Sequence, residues 1–213
     1  MQALIVYSGG MDSTTLLYQY KLDIKLAVSF DYGSKHNKKE LEFAKYHCEL
    51  LGIEHIIIPL RFINQYFKSD LLLTGGEIPD GHYEDRVMTQ TVVPFRNGIM
   101  LSIATGLAES HDLDTVLIAN HRGDHAIYPD CRDTFIFPMR EAMYFGTYNQ
   151  VQLMAPYTAI DKGEIAKLGL TMDIDYSQTW SCYRGQDIHC GTCGTCIERR
   201  EALKGFDPTR YLK

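Results

Sequence analysis

The sequence has no apolar run long enough to cross a membrane, because every hydrophobic stretch falls well short of the roughly 18 residues that such a span needs. It also has no excess of basic residues, since 21 Lys and Arg stand against 27 Asp and Glu, for a formal net charge of −6. It contains no internal repeat and no low-complexity tract. These absences argue against a membrane protein and against direct binding to a large nucleic acid, which usually needs a basic surface.

The N-terminus lacks the basic flank of a signal peptide, so we expect a cytoplasmic protein with no membrane partner. Of the 213 residues, 45% are hydrophobic, which is enough for one α/β domain and a small appendage. Strand-sized apolar runs alternate with helical patterns, and this order predicts a doubly wound, mostly parallel sheet with helices on both faces. The predicted strands are 3–7, 25–33, 53–60, 114–120 and 151–156, and the predicted helices include 34–51, 94–110 and 162–168.

The chain divides by pattern into an α/β domain over 1–176 and a C-terminal segment over 177–213. Within the first part, residues 61–91 hold several glycines and charges without sustained periodicity. We expect a long loop or lid there, because long loops inside compact domains usually carry a function.

The most informative segment is 3–17, in which a strand pattern breaks at Ser8-Gly9-Gly10 and resumes as a helix. Short polar residues stand where a helix N-terminus prefers them, at Asp12 and Ser13. Adjacent glycines let an anion approach the backbone amides, and the helix dipole adds partial positive charge. The segment therefore predicts a phosphate site, although it matches neither the P-loop nor the dinucleotide fingerprint.

Four cysteines crowd into fifteen residues with the spacing C-x7-C-x2-C-x2-C, at Cys182, Cys190, Cys193 and Cys196. In a reducing compartment such density predicts a metal site rather than disulfides. Four thiolates suit a closed, structural zinc site, and an iron–sulfur cluster is the alternative. The only tryptophan, Trp180, precedes them and is expected between this segment and the sheet, whereas Cys48 fits an apolar helix face.

The string Ser8-Gly-Gly-Met-Asp-Ser13 after a strand resembles the pyrophosphate loop of the N-type ATP pyrophosphatases. With three further segments it resembles the 7-cyano-7-deazaguanine synthases of queuosine biosynthesis: Val93-Pro-Phe-Arg-Asn97, Tyr128-Pro-Asp-Cys-Arg132, and Thr179-Trp-Ser-Cys-Tyr183 with the cysteines that follow it. The similarity runs from about Ala3 to Leu203. One position departs from the family pattern, because Phe95 stands where glycine is usual.

The resemblance implies an adenine nucleotide α-hydrolase-like fold and an ATP-dependent, nitrile-forming synthase. Its substrates would be ATP, 7-carboxy-7-deazaguanine and ammonia, with AMP and diphosphate as products of adenylated intermediates. Mg²⁺ would accompany ATP, one structural zinc would lie in the cysteine cluster, and the protein would be a homodimer.

The resemblance also implies roles for particular residues. Asp12, Ser13, Arg96 and Arg132 would be catalytic, and Tyr128, Asp130 and Arg132 would bind the deazaguanine. The adenine and ribose are expected at the end of the second strand, near 29–33. Lys162 fits a phosphate contact or a surface lysine equally, and no role is assigned to His121 or His125. The implied ATP-binding residues are Tyr7, Ser8, Gly9, Gly10, Met11, Asp12, Ser13, Thr14, Thr15, Leu16 and Leu17.

Two other functions fit part of the pattern. A tRNA-thiolating enzyme shares the loop and would use Cys131 as a persulfide carrier, but the acidic charge and the absence of an appended RNA-binding domain count against it. A nucleotide-sensing module without catalysis would not need Ser8, Asp12 and Ser13 together with both motif arginines.

Overall fold

Five parallel strands form one sheet in the order β3-β2-β1-β4-β5 in the computed structural model, which describes residues 1–213. Every neighbouring pair of strands is parallel, which confirms the predicted sheet. The order reverses between β1 and β4, and open sheets of this kind bind ligands at the carboxyl ends of the strands around such a point. The strands are β1 (Ala3–Val6), β2 (Ile24–Asp31), β3 (Glu54–Pro59), β4 (Thr115–Leu117) and β5 (Gln152–Met154).

Side chains alternate along the strands, so each face of the sheet buries its own apolar layer. Leu4 and Val28 face one layer, which the helices Arg96–Ser110 and Asp133–Gly146 cover. Ile5 and Ala27 face the other, which the helices Met11–Gln19, Asn37–Leu51 and Lys162–Leu170 cover. Helices on both faces make the sheet doubly wound, as predicted. The helices are α1 (Met11–Gln19), α2 (Asn37–Leu51), α3 (Arg61–Tyr66), α4 (Arg96–Ser110), α5 (Asp133–Gly146), α6 (Lys162–Leu170) and α7 (Gly194–Ala202). None of them is long and apolar enough to cross a membrane.

Helices α5 and α7 do not follow from the sequence pattern. Helix α5 contains Pro138, a residue that usually interrupts helices, and it buries only Ile136 and Met143. Helix α7 is short and begins inside the cysteine cluster, at the residue after Cys193. Tertiary packing stabilises both helices where local propensity is weak.

The long loop predicted over 61–91 packs against the core. It includes α3 and a 3-10 turn at Arg86–Thr91. Leu71, Leu72 and Met88 are fully buried in the apolar layer that contains Leu4. Because these side chains anchor it, the loop is a packed part of the α/β domain.

The C-terminal segment packs against this domain at the carboxyl end of β1 through apolar and polar contacts, and Trp180, Tyr183 and the four clustered cysteines belong to the apolar layer that contains Leu4. The backbone N–H of Trp180 donates to the carbonyl of Gly9 at 3.1 Å, so the segment lies directly against the predicted phosphate loop. The fully buried guanidinium of Arg199, on α7, donates to Thr179 Oγ1 and Ser181 Oγ at 3.0 Å each and to Thr209 Oγ1 at 2.8 Å. One cation therefore joins the two ends of the segment.

Candidate active site

The turn after β1 is shaped to receive an anion at the N-terminus of α1. Gly10 is the N-cap residue, and its N–H donates to Ser8 Oγ at 3.1 Å. The hydroxyls of Ser8 and Ser13 lie 2.9 Å apart, so both face the same point. Gly9 has φ +81°, and a Cβ there would lie 2.6 Å from the backbone nitrogen of Ala44. Only glycine fits between this turn and α2.

The turn opens into a cavity of about 210 Å³ at the carboxyl ends of β1, β2 and β4. The predicted residues that line this cavity are Tyr7, Ser8, Gly10, Met11, Asp12, Ser13, Arg96 and Tyr128. Ser29, Phe30 and Tyr32 also line it at the end of β2, where we expected the adenine and ribose. Trp180 lines it from the C-terminal segment, and its ring stacks on Phe43 with centroids 6.2 Å apart.

Of the other five residues of the predicted ATP loop, Gly9 lies in the turn against α2, and Thr14 to Leu17 lie behind the cavity. Thr14 Oγ1 lies 3.1 Å from Tyr7 Oη, and Thr15 Oγ1 lies 2.8 Å from Tyr176 Oη. Leu16 and Leu17 are fully buried in the apolar layer that contains Ile5. These four residues hold α1 in place and do not line the cavity.

Arg96 lies at the first position of α4, beside Tyr32. Its guanidinium donates to Tyr32 Oη at 3.1 Å and lies over the ring, 5.7 Å from the centroid. The preceding Phe95 has φ +52°, a left-handed conformation that favours glycine. That backbone explains the glycine usual in the family. The ring of Phe95 is 60% exposed, so it does not enter the cavity.

Asp130 and Arg132 do not line the cavity. The Asp130 carboxylate accepts from the backbone N–H of Asn97 at 2.8 Å, within the first turn of α4. Arg132 donates through Nε to the carbonyl of His125 at 2.8 Å. Both side chains therefore hold the backbone around Tyr128, and their predicted roles in substrate binding and catalysis stay predictions.

Lys162 is buried within a group of carboxylates, so it is not a surface residue. Its Nζ lies 2.8 Å from Glu198 Oε2 and 3.1 Å from Asp12 Oδ2. Burial disfavours the charged amine, but Asp12 and Glu198 outweigh this and hold the pKa of Lys162 above its usual value. The capping box of Asp161 with Glu164 fixes the start of α6 and so places Lys162 at the cavity.

His121 completes this group from the turn after β4. Its Nδ1 accepts from the N–H of Gly123 at 3.1 Å, so the proton of the neutral ring resides on Nε2. Nε2 lies 3.6 Å from Asp124 Oδ1 and 3.8 Å from Glu198 Oε1. The ring thus presents a donor to the carboxylates.

Sequence reasoning missed Asp124, Glu198 and Tyr83. Asp124 accepts from Tyr83 Oη at 2.9 Å, although the two residues are 41 positions apart. Glu198 lies two residues after Cys196, and the cysteine spacing there indicates a metal site but gives no sign of a role for a carboxylate. No local spacing connects these residues, so only the fold brings them together.

The four cysteines meet the geometry of a single zinc ion. Their sulfur atoms all lie within 4.8 Å of one another, and Cys190 Sγ lies 3.9 Å from Cys196 Sγ. Thiolates at about 2.3 Å from a tetrahedral zinc lie about 3.8 Å apart, which matches that separation. The backbone N–H of Cys193 points at Cys190 Sγ at 3.3 Å and would stabilise a thiolate. The cluster is therefore compatible with a structural zinc site.

The fold and the site together define a nucleotide-binding α/β protein of the ATP pyrophosphatase class. The family model described as "Queuosine biosynthesis protein QueC" matches residues 2–207. The chain belongs to this family, as the sequence motifs predict.

Relatives and solved structures agree with that assignment. A 7-cyano-7-deazaguanine synthase from Porphyromonas gingivalis is 64% identical over 212 residues, which cover 98% of this chain and 96% of the relative. One from Desulfotalea psychrophila is 51% identical over 217 residues, with 100% and 99% coverage. The solved structure of NMN synthetase from Francisella tularensis is 13% identical, with a TM-score of 0.52 over 97% of this chain and 79% of that chain, and this likeness concerns the fold alone.

Proposed function

We propose that this chain converts 7-carboxy-7-deazaguanine and ammonia to 7-cyano-7-deazaguanine at the expense of ATP. One observation carries the proposal: the turn at Ser8 to Gly10 opens into the same cavity as Arg96, Lys162 and a wall of tyrosines. A triphosphate, a carboxylate and a flat heterocycle can therefore meet there. Relatives that cover nearly the whole chain carry the name of this synthase.

The chemistry requires the carboxylate to be activated. A carboxylate oxygen attacks the α-phosphorus of ATP, the bond to the β-phosphate breaks, and diphosphate leaves. Ammonia then attacks the acyl adenylate, so that AMP and a proton depart and an amide remains. A second ATP adenylates the amide oxygen, and loss of AMP with a proton forms the nitrile.

The residues around the turn suit the first step. The amides of the turn, the hydroxyls of Ser8 and Ser13 and the positive end of α1 would stabilise the departing diphosphate. Lys162 and Arg96 would supply full positive charges. Asp12 Oδ1 is buried without a hydrogen-bond partner, and this free oxygen fits the Mg²⁺ ion that accompanies ATP.

The two heterocycles would lie on opposite sides of the turn. Adenine and ribose fit the end of β2 beside Ser29 and Tyr32, and the deazaguanine fits the side that contains Tyr128. Asp130 and Arg132 would act on the deazaguanine indirectly, because they hold the backbone on either side of Tyr128.

A zinc ion in the cysteine cluster would supply folding energy to the C-terminal segment and take no part in the chemistry, since all four ligand positions come from the protein.

A homodimer is proposed from exposed aromatic side chains on and near α5. Phe137 is 56% exposed and Phe145 is 81% exposed, and aromatic side chains are enriched at protein interfaces.

The thiolating alternative receives less support. Cys131 lines the cavity, but it is buried and accepts from Asn97 Nδ2 at 3.2 Å. Burial raises the pKa of its thiol well above the usual value, and a persulfide carrier needs the thiolate.

The test is an assay of AMP and nitrile formation with ATP, Mg²⁺, ammonium and 7-carboxy-7-deazaguanine. We expect both products with all components present, and diphosphate from the first adenylation without nitrile when ammonium is omitted. A protein that transfers sulfur to tRNA, and is inert with the deazaguanine acid, would contradict the proposal.

A further inference from the structure

Asn120 is a buried amide with one unused hydrogen-bonding atom. It follows β4 at the carboxyl end of the sheet, lines the cavity and is 5% exposed. Its Nδ2 donates to the carbonyl of Cys131 at 2.8 Å and to Thr158 Oγ1 at 3.2 Å. Its Oδ1 has no partner.

The neighbours of Asn120 fix which amide atom is unused. If the amide were reversed, Oδ1 would face the carbonyl oxygen of Cys131, and two acceptors would oppose each other. The observed orientation therefore leaves an acceptor waiting for a donor. A buried acceptor without a partner is costly, and such atoms in native proteins usually serve a ligand or a water.

The surroundings indicate what kind of ligand would carry that donor. Tyr83 and Tyr128 line the same cavity with ring centroids 5.8 Å apart, and their hydroxyls are already bonded to Asp124 and to Thr91 and Tyr183. They thus present flat apolar surfaces and few free polar atoms. A flat heterocycle with an N–H on its edge fits this combination of aromatic walls and a single acceptor.

We propose that Asn120 Oδ1 accepts a hydrogen bond from the N1–H or the 2-amino group of the deazaguanine ring, and that this contact selects the ring. This inference rests on the proposed function, because it takes the deazaguanine acid as the substrate. The proposed function places adenine at the end of β2, on the other side of the turn at Ser8 to Gly10. Asn120 would therefore contact the deazaguanine acid and not ATP.

The experiment pairs a change in the protein with a change in the ligand. The readout is diphosphate exchange into ATP, which follows adenylation and needs no ammonia. Three acids are compared: 7-carboxy-7-deazaguanine, the analogue without the 2-amino group, and the 2,6-diamino analogue, which has no N1–H. Each is measured with the wild type, with Asn120→Leu, and with Thr158→Val, which removes one partner of Asn120 Nδ2 and leaves Oδ1 in place.

For the wild type and for Thr158→Val we expect one analogue to lose roughly 10- to 100-fold in kcat/KM, the effect of an unpaired buried acceptor. In Asn120→Leu that penalty should nearly vanish, because the acceptor is gone. If Asn120→Leu does not fold, Asn120→Ser serves the same purpose, since its shorter side chain cannot reach the position of Oδ1.

An analogue penalty that is the same in the wild type and in the Asn120 variants would overturn the inference. A variant that raises the KM for ATP and leaves the KM for the acid unchanged would also overturn it, because the amide would then serve adenine. A wild type that shows no exchange with any of the three acids would overturn the proposed function itself.

Discussion

The sheet region and the C-terminal segment are stabilised by different interactions. In the sheet, fully buried apolar side chains such as Leu4 and Ile5 alternate between two layers, and the hydrophobic effect dominates. In the C-terminal segment, a buried arginine and a group of cysteines occupy the centre. The sheet is therefore specified by repeated apolar residues. The segment also buries apolar side chains such as Trp180 and Tyr183, but it depends in addition on a few buried polar groups that must all be satisfied together.

Removal of the metal ligands should have the largest effect. Cys193→Ser should lose the zinc and destabilise the C-terminal segment by several kcal/mol, because metal binding supplies folding energy to such segments. Zinc content by elemental analysis and hydrogen exchange over 177–213 measure the two consequences. Cys48→Ser is the matched control, since this buried cysteine lies on α2, outside the cluster.

That control should keep its metal and unfold as a whole. Full zinc content and full stability in Cys193→Ser, or iron in the wild-type protein, would show that the segment is organised in another way.

Arg199→Met should cost about 3 kcal/mol, because the oxygen atoms of Thr179, Ser181 and Tyr176 each lose a hydrogen-bond donor, at about 1 kcal/mol for each atom. The comparison is Ile5→Val in the sheet, where loss of one buried methyl group should cost about 1 kcal/mol. Denaturant unfolding of both variants measures the difference. Equal costs would mean that polar contacts are no more critical in the segment than apolar ones are in the sheet.

Ser13→Ala should affect activity far more than stability. It removes a hydroxyl that faces the same point as that of Ser8, and we expect a loss of about 10²-fold in the rate of diphosphate exchange. Ser102→Ala is the control, because the Ser102 hydroxyl donates to the carbonyl of Gly98 as that of Ser13 donates to the carbonyl of Gly10, but Ser102 does not line the cavity. Unchanged turnover of Ser13→Ala at low ATP would remove Ser13 from the phosphate site.

The smallest expected effect concerns pH, at a contact between the two regions. His47, on α2, is buried and bonds through Nε2 to the carbonyl of Gln178 at 2.8 Å. Burial lowers its pKa below the ordinary value of about 6.5, so the unfolded chain takes up a proton before the folded one does. This contribution to stability is present above about pH 6.5 and is lost as the pH falls below that value.

The measurement is the free energy of unfolding at about pH 7.5 and about pH 5.5 for the wild type and for His47→Gln. We expect the wild type to lose more stability over this interval, because the variant has no imidazole to protonate. Identical losses in both proteins would exclude His47 as the source.

Much of the sheet could be predicted from sequence, because an apolar run such as 25–33 reflects burial along most of a strand, and the run 53–60 keeps the β-branched composition of a strand although β3 is only partly buried. The turn between β1 and α1 could also be predicted, since Ser8 to Ser13 form it within one short segment. Helix α5 could not, because Pro138 and a mostly exposed surface hide its period. Lys162 and Glu198 could not be paired either, since they are 36 residues apart and meet only when α6 packs on α7.

The single tryptophan of the chain adjoins both regions at once. Trp180 bonds to Gly9 of the phosphate turn, and its ring lies 4.2 Å from that of His189, the residue before Cys190. Its fluorescence therefore has no background from other indoles and originates between the turn at Ser8 to Gly10 and the cysteine cluster. Titration with ATP and removal of zinc should each change the emission of this one residue, so the protein carries its own optical probe of both events.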